Sequence, residues 1–311
     1  VLRRRLGPPR RITGRERRWL NPNRGPLKVL ERNLDILVSR FLYPRLARAW
    51  NPYGWLLARR FGLTEAAVAP PGWPPGPPLR VLLLSDIHTG IFLRPEVLGG
   101  IVATLMQERP DLVVVAGDHV TGRSSELAPF LPALAPLATA PLGAWACMGN
   151  HDYFGGDPDH IRRGLDGIGV RVLRNETVRL TRGSQVIVLG GIDDLIMGRP
   201  DWPALTAAHG APHLLIAHNP DHFYAAATNG VPLVLSGHTH GGQIRFPSGP
   251  PIIRQSRFCL DEGAYAYGSS LLVVSRGLGS VGLPWRWGAD PEAVLIEVEA
   301  PAPRAHSLPG N

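Results

Sequence analysis

From residue 81 onward the chain alternates between short unbroken apolar runs and longer mixed segments. The runs are VLLLS (81–85), LVVVAG (112–117), AWACMG (144–149), VIVLGG (186–191), LLIAH (214–218), LVLSG (233–237), LLVVS (271–275) and AVLIEV (293–298). Each is too short for a core helix, is rich in Val, Leu and Ile, and fits a strand buried on both faces. The segments between them, such as PEVLGGIVATLMQERP (95–110), are long enough for crossover helices. Strands alternating with helices predict an α/β domain over residues 79–300. No internal repeat interrupts the pattern.

Before residue 79 the pattern changes. The stretch APPGWPPGPP (69–78) reads as a linker, because proline forbids helix and favours extended polyproline backbone. Residues 1–26 are rich in Arg, Pro and Gly and are expected to be irregular. Residues 27–42 place Leu27, Leu30, Leu34, Leu37, Val38 and Phe41 at helical spacing with the charges elsewhere, which predicts an amphipathic helix. A second apolar stretch, 49–63, carries Trp50, Tyr53, Trp55 and Phe61 beside Arg59 and Arg60. Residues 1–78 are therefore expected to be a helical extension plus linker, and 301–311 a disordered tail.

Charge sharpens that division. The net charge is +8 over 311 residues. Residues 1–80 carry 17 Lys and Arg against 4 Asp and Glu, and the remainder carries 16 against 21. Only two cysteines occur, Cys147 and Cys259, without a CxxC pair, which argues against a disulfide framework and a thiolate zinc site and fits a reducing compartment. No run of about 18 apolar residues suggests a spanning helix, and the N-terminal arginines are not followed by a secretory-type apolar region. The expected location is the cytoplasm, peripheral to a membrane.

The ends of the apolar runs carry the chemistry. VLLLS is followed by Asp86 and His88, LVVVAG by Asp118, AWACMG by Asn150, His151 and Asp152. LLIA ends at His218, and LVLSG is followed by His238 and His240. Strand carboxyl ends converge on the edge where α/β sheets bind ligands, and buried polar groups there need partners. Two carboxylates, an amide and four imidazoles exceed what one tetrahedral zinc needs and suit two divalent first-row ions sharing a carboxylate. Two such ions clamp both oxygens of an in-line phosphoryl displacement. His151 is left over as an acid for the leaving group.

The blocks DxH (86–88), GD (117–118), GNHD (149–152), His218 and GHTH (237–240), in this order, resemble the calcineurin-like metallophosphoesterase superfamily. GNHDYFGG and GHTHGGQI are similar to its bacterial branch of small phosphodiesterases, several of which sit at membranes. The resemblance covers about residues 80–299. It implies a sandwich of two mixed β-sheets flanked by helices. It also implies that Asp86, His88 and His240 hold one metal, that Asp118 bridges, and that Asn150, His218 and His238 hold the second. His151 would contact the phosphate or departing oxygen. Two divalent ions are implied, manganese ahead of iron or zinc. Gly237 is expected to let the strand turn sharply, and Gly241 and Gly242 to keep Cβ atoms off a bound phosphate. One departure stands out. Many relatives carry an Asp three residues after the bridging one to orient the catalytic His, whereas here Thr121 occupies that place. His119 reads as a structural or surface residue, Asp152 as an orienter of its loop, and Asp193 and Asp194 as loop caps that stay candidates for substrate contact.

The extension admits a bland reading, a solvated arm and a helical pair packed on the main domain, and a functional one. Trp19, Trp50, Trp55 and Trp73 fall among its arginines and leucines, as an interfacial helix on an anionic membrane requires. Nucleic acid would use the same arginines, but the aromatics lie at helical spacing rather than on a stacking platform. The resulting expectation is hydrolysis of a lipid-linked phosphodiester or pyrophosphate, with UDP-2,3-diacylglucosamine as the specific candidate. A nuclease or cyclic-nucleotide phosphodiesterase is the rival enzyme, and a metal-binding membrane scaffold without turnover the rival class.

Overall fold

The computed structural model describes residues 1–12, 37, 52–246, 249–252 and 254–301. Leu37 apart, the helix expected over 27–42 lies outside the described residues, as do Trp19, Trp50, the Trp55 side chain and the tail beyond residue 301. Among the described residues no helix is long and apolar enough to cross a membrane.

All eight apolar runs form strands. In chain order the strands are β1 (Leu2–Arg5), β2 (Arg10–Arg11), β3 (Gly62–Val68), β4 (Leu79–Leu84), β5 (Leu112–Ala116), β6 (Ala144–Cys147) and β7 (Val170–Val172). They continue as β8 (Glu176–Arg182), β9 (Gln185–Gly191), β10 (Leu214–Ile216), β11 (Leu233–Ser236), β12 (Gly263–Tyr267), β13 (Ser270–Val274) and β14 (Glu292–Val298). One seven-stranded sheet runs β1-β3-β14-β4-β5-β6-β7, the other β2-β12-β13-β11-β10-β9-β8. Both are mixed: β4, β5, β6 and β7 are parallel and β14 runs antiparallel to β4, while β9, β10, β11 and β13 are parallel, with β8 antiparallel to β9 and β12 antiparallel to β13.

Strand alternation explains how unbroken apolar runs serve two faces at once. Val81 and Leu83 of β4 point between the sheets, where they join Val114, Leu189, Ile216 and Leu235. Leu82 and Leu84 point outward and meet Leu98, Ile101, Val102 and Leu105 of the helix Pro95–Met106. On the far side, Leu215 and Val234 pack on Leu205 and Phe223, from the helices Trp202–Ala207 and Phe223–Thr228. The result is helices, sheet, sheet, helices. The ends of β4, β5 and β6 in one sheet and of β10 and β11 in the other are thereby brought to one edge.

The amino-terminal quarter differs from expectation. Residues 1–12, expected to be irregular, contribute an edge strand to each sheet: β1 pairs with β3, and β2 with β12. The sheet also runs across the boundary expected at residue 78. Strand β3 lies inside it, paired with β14 from Gly62 opposite Glu292 to Val68 opposite Val298. The sequence GLTEAAV hides this strand because Thr64 and Glu65 interrupt its apolar pattern. Thr64 is nonetheless buried, its hydroxyl donating to the Glu292 carboxylate. Trp73, grouped by sequence with interfacial tryptophans, is 3% exposed and packs in the core between the sheets.

A chain beginning at residue 79 would lose Phe61, Leu63 and Val68 from the core, at roughly 1.5–3 kcal/mol for each fully buried side chain. Against a total stability of about 5–15 kcal/mol, that fragment is expected to be insoluble or to lose cooperative unfolding by circular dichroism. A chain beginning at residue 52 keeps β3 and is expected to unfold cooperatively. Cooperative melting of the 79–311 fragment would contradict the placement of β3.

Candidate metal centre

Seven side chains meet where the two sheets' strand ends converge. Asp86, His88, Asp118 and His240 form one buried group able to hold a metal ion, and Asp118, His218 and His238 form another, with the donor atoms of each group within 4.8 Å of one another. Asp118 belongs to both. Its Oδ2 lies 3.6 Å from His88 Nε2 and 3.2 Å from His218 Nε2. In the first group, His240 Nε2 stands 3.0 Å from His88 Nε2 and 3.5 Å from Asp86 Oδ1. In the second, His218 Nε2 is 3.3 Å from His238 Nδ1 and 3.3 Å from Asn150 Oδ1.

The backbone here is held in an unusual state. Asp86, His88, Asp118, His238 and His240 all have φ between 48° and 70°, in the left-handed region. For residues with a Cβ that conformation costs roughly 1–2 kcal/mol each, and such strain concentrates at functional sites. Backbone hydrogen bonds impose it: Asp86 N–H donates to Gly117 O, His88 N–H to Asp118 O, and Gly279 N–H to Asp86 O. Asp86 in turn accepts the His238 N–H at 3.0 Å, which ties β4 of one sheet to β11 of the other.

Two glycines are required by close approach. A Cβ at Gly149 would strike the Asp118 carboxylate, and one at Gly237 the carboxylate of Asp86. Gly237 thus makes room for a carboxylate rather than a sharp turn. Gly241 and Gly242 do have positive φ, but a Cβ at either would meet Arg276 or Pro251. They accommodate the protein itself, which replaces the phosphate clearance expected from sequence.

Neighbouring groups fix each ring. His218 Nδ1 donates to Ala116 O at 2.7 Å, which leaves Nε2 as an acceptor for a cation. His151 N–H donates to Asp118 Oδ1 at 2.8 Å, and its Nδ1 donates to the Thr121 carbonyl at 2.7 Å. The residue that lacks the expected carboxylate therefore orients His151 through its main chain. The loop holding that carbonyl is itself anchored, since Glu126 Oε2 accepts the N–H groups of Thr121, Gly122 and Arg123. Asp152 orients its loop as expected, taking the His119 and Val120 N–H groups on one oxygen and His119 Nδ1 and Gly149 N–H on the other. His119 is buried and structural. Asp193 and Asp194 cap their loop: Asp193 accepts Arg199 N–H, and Asp194 accepts Ile196 and Met197 N–H.

Sequence reasoning passed over Arg286. It is fully buried, donates to the carbonyls of Gly279 and Arg276, and lies with Nη2 3.0 Å from His240 Nδ1. Its segment, LPWRWGAD, shows no periodicity and follows no strand, so nothing in the pattern marks it.

The electrostatics fit a bound cation. Burial and the adjacent His151 lower His88 to about 3, and burial with Arg286 and His88 lowers His240, so both rings are neutral donors. Burial raises Asp86. Burial also opposes charge on His218, but the Asp118 carboxylate overrides it and raises that ring to about 10, while His218 and His151 hold Asp118 well below the usual range. His88 Nδ1 has no hydrogen-bond partner among the described residues. The Nε2 atoms of His88 and His240 point at each other across 3.0 Å, an arrangement that a shared cation satisfies. Mixed imidazole and carboxylate donors without thiolate suit divalent first-row ions.

Residues 79–242 match the family of calcineurin-like phosphoesterases. The chain belongs to that family. Metal-assisted hydrolysis of a phosphoric ester is therefore its class of reaction. Among calcineurin-like phosphoesterases it is 32% identical to the metallophosphoesterase YkuE of Bacillus subtilis over 71% of this chain and 79% of that protein. It is 33% identical to the phosphodiesterase YaeI of Escherichia coli, over 71% of this chain and 82% of that protein. A 5'-nucleotidase precursor from Thermus thermophilus is similar in structure with a TM-score of 0.44 and 13% identity, over 71% of this chain and 55% of that one, about half its length.

In the metal-free protein His218 keeps its proton up to about pH 10, so a cation taking Nε2 must displace it. Affinity for the ion held by His218 is therefore expected to rise with pH below that value, by up to about tenfold per unit, with about one proton released per chain at neutral pH as that ion binds. Isothermal titration at pH 7.5 in buffers of different ionisation enthalpy measures the release. Binding without proton release would contradict the charged His218.

Proposed function

We propose that this chain hydrolyses a phosphodiester or pyrophosphate bond in a lipid-linked substrate at a membrane surface, with UDP-2,3-diacylglucosamine as the specific candidate. The observation that carries the hydrolytic part is the Asp118 carboxylate, shared between two clusters of imidazole and carboxylate donors. Asp86, His88 and His240 would hold one divalent ion, Asn150, His218 and His238 the other, and Asp118 both, with manganese as the favoured metal. Such ions supply positive charge to the phosphoryl oxygens and lower the pKa of a water nucleophile.

The chain's own groups do the rest. His151 is held at its main chain by Asp118 and at Nδ1 by the Thr121 carbonyl, which leaves Nε2 to give a proton to the departing oxygen. The lipid-linked part of the reading is supported by the basic excess in residues 1–80 and the amphipathic spacing of residues 27–42. The name of YaeI as a phosphodiesterase agrees with a diester substrate.

Turnover of bis-p-nitrophenyl phosphate with added manganese tests the hydrolytic reading, and lipid-linked pyrophosphates set against oligonucleotides test the substrate class. Asp118→Ala is expected to abolish turnover and weaken retention of both ions, and two full metal equivalents in that variant would contradict the shared carboxylate. His151→Ala is expected to keep both ions and lose roughly 10²–10⁴-fold in turnover. That loss should shrink for p-nitrophenolate, a leaving group that needs little protonation. Equal losses for good and poor leaving groups would instead assign His151 to phosphate binding.

A further inference from the structure

Two loops leave the metal centre side by side and carry an apolar rim that the hydrolytic reading does not use. The first starts at Gln243, whose N–H donates to His240 O. The second starts beyond Gly279, whose N–H donates to Asp86 O. Among the described residues, nine large hydrophobic side chains are exposed, and five of them sit here: Phe246 (59%), Ile252 (59%), Leu283 (52%), Trp285 (47%) and Trp287 (40%). Isolated exposed hydrophobes are ordinary, but a group of them on two segments beside a reactive centre marks an interaction surface.

The rim is built rather than frayed. Arg245 N–H donates to Trp287 O and Trp287 N–H to Gln243 O, which lace the loops together. The Gln243 side chain donates to Val281 O and accepts Val281 N–H. Arg245, next to Phe246, bonds Gly249 O through Nε at 3.0 Å. The Phe246 and Trp287 rings meet edge to face at 5.3 Å. Phe246 and Trp287 thus sit on segments tied to each other by main-chain hydrogen bonds.

Arginines gather around two carboxylates near the rim. Arg4 and Arg60, 41% and 53% exposed, pair with Asp290, three residues past Trp287. Arg10 donates to Glu262 O, and the Glu262 carboxylate pairs with Arg245, next to Phe246. Residues 1–12 contain five arginines and no acidic residue. Tryptophan with aliphatic side chains, bordered by guanidinium groups, matches the boundary of an anionic bilayer, where the rings sit among headgroups and the cations face lipid phosphates.

We infer that Phe246, Ile252, Leu283, Trp285 and Trp287 dock on an anionic phospholipid surface and hold the mouth of the metal centre against it. This contact is separate from any made by residues 13–51. It rests on the membrane reading above for where the reaction occurs, and gives that reading a second anchor beside the chemistry.

The test is sedimentation of the metal-loaded full chain with phosphatidylcholine vesicles with and without phosphatidylglycerol, comparing wild type with Leu283→Ser/Trp285→Ser. Wild type is expected to bind the anionic vesicles, and the variant to bind at least about tenfold more weakly with an unchanged melting temperature, because two exposed apolar side chains no longer enter the lipid. Equal binding by the variant overturns the rim and leaves the membrane reading standing. No binding by wild type overturns both, while bis-p-nitrophenyl phosphate turnover still reports independently on the hydrolytic site. A lowered melting temperature in the variant, or a wild-type dimer in sedimentation velocity that the variant loses, would assign the rim to contacts within or between chains and overturn the lipid proposal.

Discussion

Everything at the metal centre depends on putting negative charge where two sheets meet and keeping it there. The Asp118 carboxylate is buried, and a buried carboxylate is tolerated only with compensating partners. His218 from the opposite sheet, His88 from the neighbouring strand and the His151 N–H all converge on it. Remove that charge and His218 loses what keeps it protonated, and the loop from Gly149 to His151 loses an anchor. The left-handed backbone at five of the converging residues fits this picture. The stacked sheets supply enough buried apolar surface to hold conformations that each residue alone would avoid.

The layered fold was legible because its strands are buried on both faces. Val81 and Leu83 serve one interface and Leu82 and Leu84 the other, so the sequence reads as an unbroken apolar run that only a sandwiched strand explains. The polar residues closing those runs were legible for the complementary reason: Asp86, Asp118 and His218 sit where a core should continue and instead stop it. Strands whose identity comes from their neighbours were not legible. Strand β3 has its apolar sequence broken by Thr64 and Glu65 and is stabilised by seven-residue pairing with β14 and by the Thr64–Glu292 bond. Residues 1–12 look like a solvated arm because edge strands draw on backbone hydrogen bonds that leave no mark on side-chain pattern.

The same distinction separates the site residues that sequence identified from those it missed. Side chains that project into the centre have a recognisable chemistry. Groups that act through the main chain do not: the Thr121 carbonyl that holds His151 could belong to any amino acid. Arg286 is a different case, since its guanidinium lies against His240 without a paired carboxylate among its hydrogen-bond partners. Its donors instead terminate on the carbonyls of Gly279, Arg276 and Ala289, so it stiffens the wall from which the 280–288 loop departs.

The pairing of β3 with β14 also has a consequence for synthesis on the ribosome. Some 230 residues separate Gly62 from Glu292, and β14 is the strand that joins β3 to β4. At 5–20 residues per second, roughly ten to fifty seconds pass between emergence of β3 and of its partner. During that interval the β4 edge, with Leu79, Val81 and Leu83, has no strand on one side. The nascent chain must therefore carry an open, apolar β4 edge until residues 292–298 have left the ribosome, so the order of synthesis leaves this sheet unfinished long after its first strands exist.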